Sequence, residues 1–185
     1  MKYTPEELEW IEVVKERDPA IHSDEEAFLY PCYDAIMTYR KAHDLYLQGQ
    51  YVRARRLSLE AASRTNIEIH PGAEIGDRFF IDHGFGVVIG ETAIIGDNVT
   101  LFHGVTLGGT GKDAGKRHPT LGNNVTIYAE SMILGNVTVG DNVIIGAGTV
   151  SLKDIPANTT VVGAPARIVK IRHEDGTEEK VNIKL

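Results

Sequence analysis

The stretch Leu121-Gly122-Asn123-Asn124-Val125-Thr126-Ile127-Tyr128-Ala129-Glu130-Ser131-Met132-Ile133-Leu134-Gly135-Asn136-Val137-Thr138-Val139 decides the fold. Its aliphatic residues Leu121, Ile127, Ile133 and Val139 recur every six positions, and a small or β-branched residue follows each of the first three by four: Val125, Ser131 and Val137. A helix repeats every 3.6 residues and a strand every 2, so six fits neither. It fits a solenoid of triangular section, in which each side is a short strand and each corner a tight turn. The anchors then point inward and stack on the coils above and below.

The pattern extends in both directions. Ile69, Ile75 and Ile81 share the spacing, as do Ile89, Ile95, Leu101 and Leu107, and Ile145 continues beyond Val139. Glycine often follows the anchor, as at Gly76, Gly90, Gly96, Gly108, Gly122, Gly140 and Gly146; glycine and asparagine are expected to supply the corner conformations. Two breaks interrupt the register. Ile81 to Ile89 holds two extra residues beside Asp82-His83-Gly84, and Leu107 to Leu121 holds eight, expected to leave the prism as a loop within 109–119. Chemistry on a monotonous solenoid belongs where the repeat breaks. Both breaks contain histidine.

Ahead of the repeat the chain reads as helical. Thr4-Pro5-Glu6-Glu7 is a capping box with proline at the first helical position, and Asp18-Pro19 ends that helix. Ser23 and Glu26 form a second box, Pro31 restarts a helix, Gly49 closes it, and another is expected from Val52 to about Ser63. Residues 1–66 hold only one glycine, which places a boundary near residue 67 and leaves 67–168 to the solenoid. In the remaining 169–185, Asp175-Gly176 between two strand-like runs predicts a hairpin; a loop Glu174-Asp175-Gly176 would set Val169 opposite Val181 and Arg172 opposite Glu178, and a two-residue loop would give another register.

The net charge of −7 argues against nucleic acid or an anionic membrane as partner. The acidic start is unlike a targeting peptide, and no apolar run approaches the ~20 residues that span a bilayer. Cys32 is the only cysteine, so no intrachain disulfide can form, and a cytoplasmic location is expected.

Glu68-Ile69-His70-Pro71, Ile81-Asp82-His83-Gly84, Gly90-Glu91-Thr92, Leu107-Gly108-Gly109-Thr110-Gly111-Lys112, Arg117-His118-Pro119 and Gly163-Ala164-Pro165-Ala166-Arg167 together resemble the serine acetyltransferase family, as does Arg17-Asp18-Pro19-Ala20. The resemblance implies a left-handed parallel β-helix, mainly β, under a short N-terminal helical cap. It implies transfer of acetyl from acetyl-CoA to L-serine in cysteine biosynthesis, with acetyl-CoA as co-substrate, no permanently bound cofactor and no metal. Relatives trimerise side by side, which implies a homotrimer here, with pairing into a dimer of trimers left open by the short helical cap. Many end in a tail whose terminal isoleucine docks into O-acetylserine sulfhydrylase; here the tail ends in Leu185, and the hairpin would tie it down.

On its residues alone His83 is either a general base or a corner histidine bonded to a carbonyl; the resemblance selects the base, which takes the proton of the serine hydroxyl. Glu68, about one coil away, would orient that ring. Arg117 and His118 match the pair that binds the substrate carboxylate, and a guanidinium suits that task. Asp18 and Asp82 match carboxylates holding the ammonium, Asp18 on the resemblance alone. Gly109, Thr110, Ala129, Gly146 and Ala147 match the pantetheine groove, with Lys112, Lys116, Arg167 and Lys170 as candidate phosphate cations. His103, Tyr128 and Glu130 depart from the family pattern. Other readings are an acetyltransferase for homoserine or an amino sugar, a zinc lyase of the γ-carbonic anhydrase type using His83, His103 and His118, and a non-catalytic scaffold.

Overall fold

A computed structural model describes residues 2–111 and 114–185. Helix α1 spans Pro5–Arg17 and opens on the expected capping box: Thr4 accepts from the Glu7 N–H at 3.2 Å, and Glu7 accepts from the Thr4 N–H at 2.7 Å. At the second box Ser23 accepts from the Glu26 N–H, but Glu26 reaches back to the His22 N–H, and only a 3-10 turn follows, Glu25–Leu29. Helix α2 spans Pro31–Leu47, Gly49 turns the chain at positive φ, and α3 spans Tyr51–Thr65. Asn66, left-handed at φ 57°, ends α3 and starts the solenoid.

The solenoid is a parallel prism of about five turns, winding left-handed. Its first face holds Ile67–Ile69, Val87–Ile89, Thr106–Gly108, Met132–Leu134 and Val150–Ser151. The second holds Glu74–Ile75, Ile94–Ile95, Thr120–Leu121 and Thr138–Val139. The third holds Phe80–Asp82, Thr100–Phe102, Thr126–Ile127, Ile144–Ile145 and Thr159–Val162. The anchors align in the predicted columns: Ile69, Ile89, Leu107 and Ile133; Ile75, Ile95, Leu121 and Val139; Ile81, Leu101, Ile127 and Ile145. All are buried except Ile75 at the capped end, which is partly exposed. Each buried aliphatic side chain contributes roughly 1.5–3 kcal/mol.

The corners correct one expectation. Asparagine supplies left-handed backbone at Asn98, Asn124, Asn142 and Asn158, and glycine supplies positive φ at the Gly86, Gly104 and Gly148 corners, but the glycines directly after the anchors are not at positive φ. Those glycines give clearance instead: a Cβ on Gly96 would lie 2.7 Å from the Gly122 carbonyl oxygen of the next coil. The four asparagines, all at the corner between the second and third faces, also bond in a ladder: Asn98 donates to Asn124 at 2.6 Å, Asn124 to Asn142 at 3.1 Å, and Asn142 to Asn158 at 2.8 Å. Arg17 caps the ladder at Asn98 and also donates to Thr100, pinning the end of α1 to the prism.

The C-terminal hairpin, Arg167–Arg172 with Glu178–Lys184, extends the third face antiparallel to Thr159–Val162. Arg172 pairs with Glu178 as expected, and the His173 N–H donates to the Thr177 carbonyl to close the three-residue loop. The register shifts between Ile168 and Lys170, so the expected Val169–Val181 pair falls in a bulge.

The asparagine ladder is testable. Asn124→Ala puts a Cβ-bearing residue without local hydrogen bonds at φ 56° and deletes two ladder bonds. It should cost about 2–3 kcal/mol, and Asn124→Gly about 1–2 kcal/mol less than alanine. Chemical denaturation midpoints showing alanine no worse than glycine would contradict the role given to the backbone conformation.

Candidate active site

Two charged clusters form, at different corners of the prism. The first lies where the third face turns into the first. Asp82 ends the strand Phe80–Asp82, and His83 follows at φ 59°, in the two-residue insertion expected from the sequence. The backbone turns outward there, leaving the His83 side chain 72% exposed, with Nε2 4.0 Å from Asp82 Oδ1. Asp18 arrives from the end of α1, because Asp18-Pro19 stops the helix where Arg17 is anchored. Asp18, Asp82 and His83 thus share one cavity with Glu26, Leu29, Tyr30 and Pro31. Asp18 accepts from the Tyr30 hydroxyl and, at 2.8 Å, from the Ala20 N–H; these bonds hold its carboxyl below the usual range, Tyr30 contributing most.

The second cluster lies where the first face turns into the second. The chain leaves the first face after Gly108 and returns to the second at Thr120, and Thr92 ties down the returning end: its hydroxyl accepts from the N–H groups of Arg117 at 3.0 Å and His118 at 3.1 Å. His118 is buried at 8% exposure, its ring lying on Gly90; a Cβ there would come within 2.0 Å of the ring. The Thr92 N–H donates to His118 Nδ1 at 3.1 Å, so the proton of the neutral ring sits on Nε2. Burial pushes the pKa of His118 down, and the Arg117 charge adds to this. Arg117 donates to Glu91, which also accepts from Tyr46 of α2 at 2.9 Å; the two bonds hold Glu91 low, Arg117 first.

The expected pairs Asp18–Asp82 and Arg117–His118 are therefore each assembled, but one chain does not bring the two pairs together. The first face separates them, and its three-residue strands alone span about 10 Å. The pantetheine residues divide the same way. Gly109 and Thr110 follow the first face, while Ala129, Gly146 and Ala147 follow the third. His83 and His103 share a corner, their rings edge-to-face at 6.1 Å, while His118 lies on the other, so a three-histidine set does not form within a chain.

Several individual expectations change. Glu68 is engaged by Arg55 at 2.8 Å, because α3 packs over the first strand and brings a guanidinium within reach. Among the described residues no hydrogen bond joins Glu68 to His83. Lys116 donates to the carbonyls of Thr92, His118 and Pro119, so it braces the loop instead of offering a free cation. Lys170 pairs with Glu178, and Arg167 donates to Asn182 across the hairpin. Lys112 lies outside the described residues. Tyr128 stacks on Phe102 with centroids 4.8 Å apart, and the Glu130 carboxylate lies over Gly104. Sequence reasoning assigned no role to Glu91, Thr92, Tyr30 or Tyr46. The Gly90-Glu91-Thr92 motif carried a signal for the first two; the tyrosines, at the two ends of α2, carried none.

The neutral histidines set a pH dependence. Burial, the leading cause for both, lowers the pKa of His70 and His118 from the ordinary 6.5, so below about pH 6.5 the unfolded chain binds protons that the folded chain refuses. Their contribution to stability is present above that pH and lost as pH falls through it. The denaturation midpoint should drop between pH 7.5 and 5.5, and His118→Asn should flatten the drop. An unchanged slope in that variant would contradict the assignment.

Residues 118–150 match the bacterial transferase hexapeptide (six repeats) family. Serine acetyltransferase of Synechococcus elongatus is 53% identical over 158 residues, covering 85% of this chain and 65% of its own length. That of Staphylococcus epidermidis is 55% identical over 161 residues, covering 86% and 76%. Serine acetyltransferase of Brucella abortus, solved in complex with coenzyme A, superposes with a TM-score of 0.85 at 45% identity, over 88% of this chain and 66% of that one. The Neisseria gonorrhoeae enzyme in complex with serine gives 0.84 at 41% identity, over 88% and 67%. The chain spans about two thirds of the length of the Synechococcus relative and of these two solved structures. At 55% identity over 161 residues to a relative that it covers by 76%, the chain belongs to the serine acetyltransferase family.

Proposed function

We propose that the chain transfers acetyl from acetyl-CoA to the hydroxyl of L-serine, releasing CoA and O-acetyl-L-serine. The observation that carries this is the cavity uniting Asp18, Asp82 and His83, drawn from a helix end and a solenoid corner 64 residues further along. Two carboxylates beside an exposed imidazole suit an amino acid whose ammonium is held while its hydroxyl is deprotonated. An amino sugar has no carboxylate for the Arg117–His118 pair, and homoserine, which has one, carries its hydroxyl one methylene further from the ammonium and carboxylate held by these groups. The named ligands of the Brucella and Neisseria enzymes, coenzyme A and serine, agree with this choice.

The chemical step is direct. His83 takes the proton of the serine hydroxyl as its oxygen attacks the thioester carbonyl. The tetrahedral intermediate collapses with expulsion of the CoA thiolate, which is protonated on leaving. The Asp82 carboxylate stands 4.0 Å from His83 Nε2, while Glu68 is committed to Arg55 and acts at longer range. Arg117 and the Nε2–H of His118 are the donors for the substrate carboxylate. L-Cysteine carries the same ammonium and carboxylate, so it competes with serine for these groups.

The two half-sites require a neighbour. Three prisms packed side by side bring the His83 corner of one against the Arg117 corner of the next, and the pantetheine arm lies between them. The outward side of the first face presents Val88 and Met132, 38% and 41% exposed, as apolar surface for such packing. The functional unit is thus a homotrimer in solution. Docking to O-acetylserine sulfhydrylase is weak in this chain. The Leu185 N–H donates to the Ala166 carbonyl, and the Leu185 side chain packs partly buried against the core.

A thiol-release assay with acetyl-CoA against serine, homoserine and glucosamine tests the reaction: serine should be the preferred acceptor by a wide margin. His83→Ala should lower kcat by about 10²–10⁴ while the protein stays folded, and Glu68→Gln should cost less. Near wild-type turnover in His83→Ala would remove that residue from the mechanism, and preference for glucosamine would overturn the acceptor.

A further inference from the structure

Asp18 occupies a weakly supported place. It lies just past the end of α1, before a segment that runs irregularly to the 3-10 turn at Glu25–Leu29, and its own backbone carbonyl receives only a long bond from the Ile21 N–H, 3.5 Å. A carboxylate there would rotate freely about χ1 and χ2 unless something fixed it. Two donors do: the Ala20 N–H to Oδ1, and the hydroxyl of Tyr30 to Oδ2.

Tyr30 is itself held firmly. It stands at the N-terminal boundary of α2, its carbonyl accepting from the Tyr33 N–H at 3.0 Å. Its ring packs on Phe80, centroids 6.1 Å apart and planes 50° tilted. Phe80 is 1% exposed and stands two residues before Asp82 on the same strand. The tyrosine therefore registers the end of α1, the start of α2 and the strand carrying Asp82 against one another, and it lines the cavity that Asp82 and His83 share. A neutral hydroxyl donor fixes the carboxylate without cancelling its charge, which an arginine in that place would do. Oδ2 is thereby directed, and the remaining lone pairs stay available to a cationic ligand.

We propose that Tyr30 is a positioning residue for the acceptor substrate: its hydroxyl holds Asp18 in the orientation that receives the substrate's ammonium, so that Tyr30 sets acceptor affinity without touching acceptor or acyl donor. This rests on the reading of Asp18 as the ammonium partner. Tyr30 belongs to the helical cap, so the cap contributes to acceptor recognition as well as closing the prism.

The test compares Tyr30→Phe, Asp18→Asn and the double variant with the wild type in the full-length protein. Phenylalanine keeps the ring on Phe80 and removes only the hydroxyl. Tyr30→Phe should raise KM for serine about five- to twentyfold, less than the full value of a hydrogen bond to a charged group because the Ala20 N–H still holds Asp18. It should leave kcat within about threefold and KM for acetyl-CoA unchanged, and the double variant should be no worse than Asp18→Asn alone. If Asp18→Asn raises KM for serine while Tyr30→Phe stays within about twofold of wild type, the positioning role is overturned and the ammonium site stands. If Asp18→Asn also leaves KM unchanged, the assignment of Asp18 itself fails. Equal rises in both Michaelis constants, together with a lowered melting temperature, would reduce Tyr30 to a packing residue and likewise overturn the proposal.

Discussion

In-register stacking of inward aliphatic side chains from coil to coil constrains everything else in this molecule. Ile81, Leu101, Ile127, Ile145 and Val161 form one unbroken column, and each of the five is 0% exposed. A shift of one residue in any coil would turn its anchors outward, so register is set strongly. The same constraint demands corners of fixed geometry, supplied by left-handed asparagines, and close coil contact, permitted by glycine. It also leaves the outward positions and the corner insertions free of any duty to the core. Insertions at two corners can therefore carry polar groups while the columns beneath them stay intact. The two extra residues at His83 and the loop ending in Arg117-His118 are placed in this way.

How legible this was in the sequence differs by level. The prism was almost entirely legible, because period six is a global signal repeated over a dozen anchors and each repeat confirms the last. The capping box at Thr4 and the hairpin at Asp175-Gly176 were legible because local backbone chemistry decides them. The glycines directly after the anchors were misread as corner residues, a task that Gly86, Gly104 and Gly148 perform, since a glycine needed for clearance between coils and one needed for positive φ look alike in one dimension. The identity of the candidate site was legible through motifs, but its division over two corners was not. Counting coils shows which residues share a corner, and only then does the first face appear as a wall between the halves. The partner of Glu68 was also hidden. Arg55 lies 13 residues upstream on α3, and nothing in the spacing says which way that helix packs.

The helical cap has more than one task. Trp10 donates to the Ala27 carbonyl at 2.8 Å and packs on Phe80, closing the end of the prism with apolar surface. Tyr39 donates to the Ala73 carbonyl and Ser58 to that of Ile69, satisfying groups that the first coil would otherwise leave unpaired. Three further residues of the cap reach charged groups of the two clusters: Tyr30 to Asp18, Tyr46 to Glu91 and Arg55 to Glu68. The contacts that the cap makes with the prism lie on its first two coils.

The central claim, that each site is built from two chains, is most directly tested by subunit complementation. His83→Ala and Arg117→Ala chains, each nearly inactive alone, are mixed in equal amounts under conditions that exchange subunits. With shared sites, an interface that takes its intact His83 from one variant and its intact Arg117 from the other is native. Random pairing then restores about a quarter of wild-type activity. Activity that stays at the level of the separate variants, with exchange verified by mass, would place both halves of the site within one chain and contradict the shared arrangement.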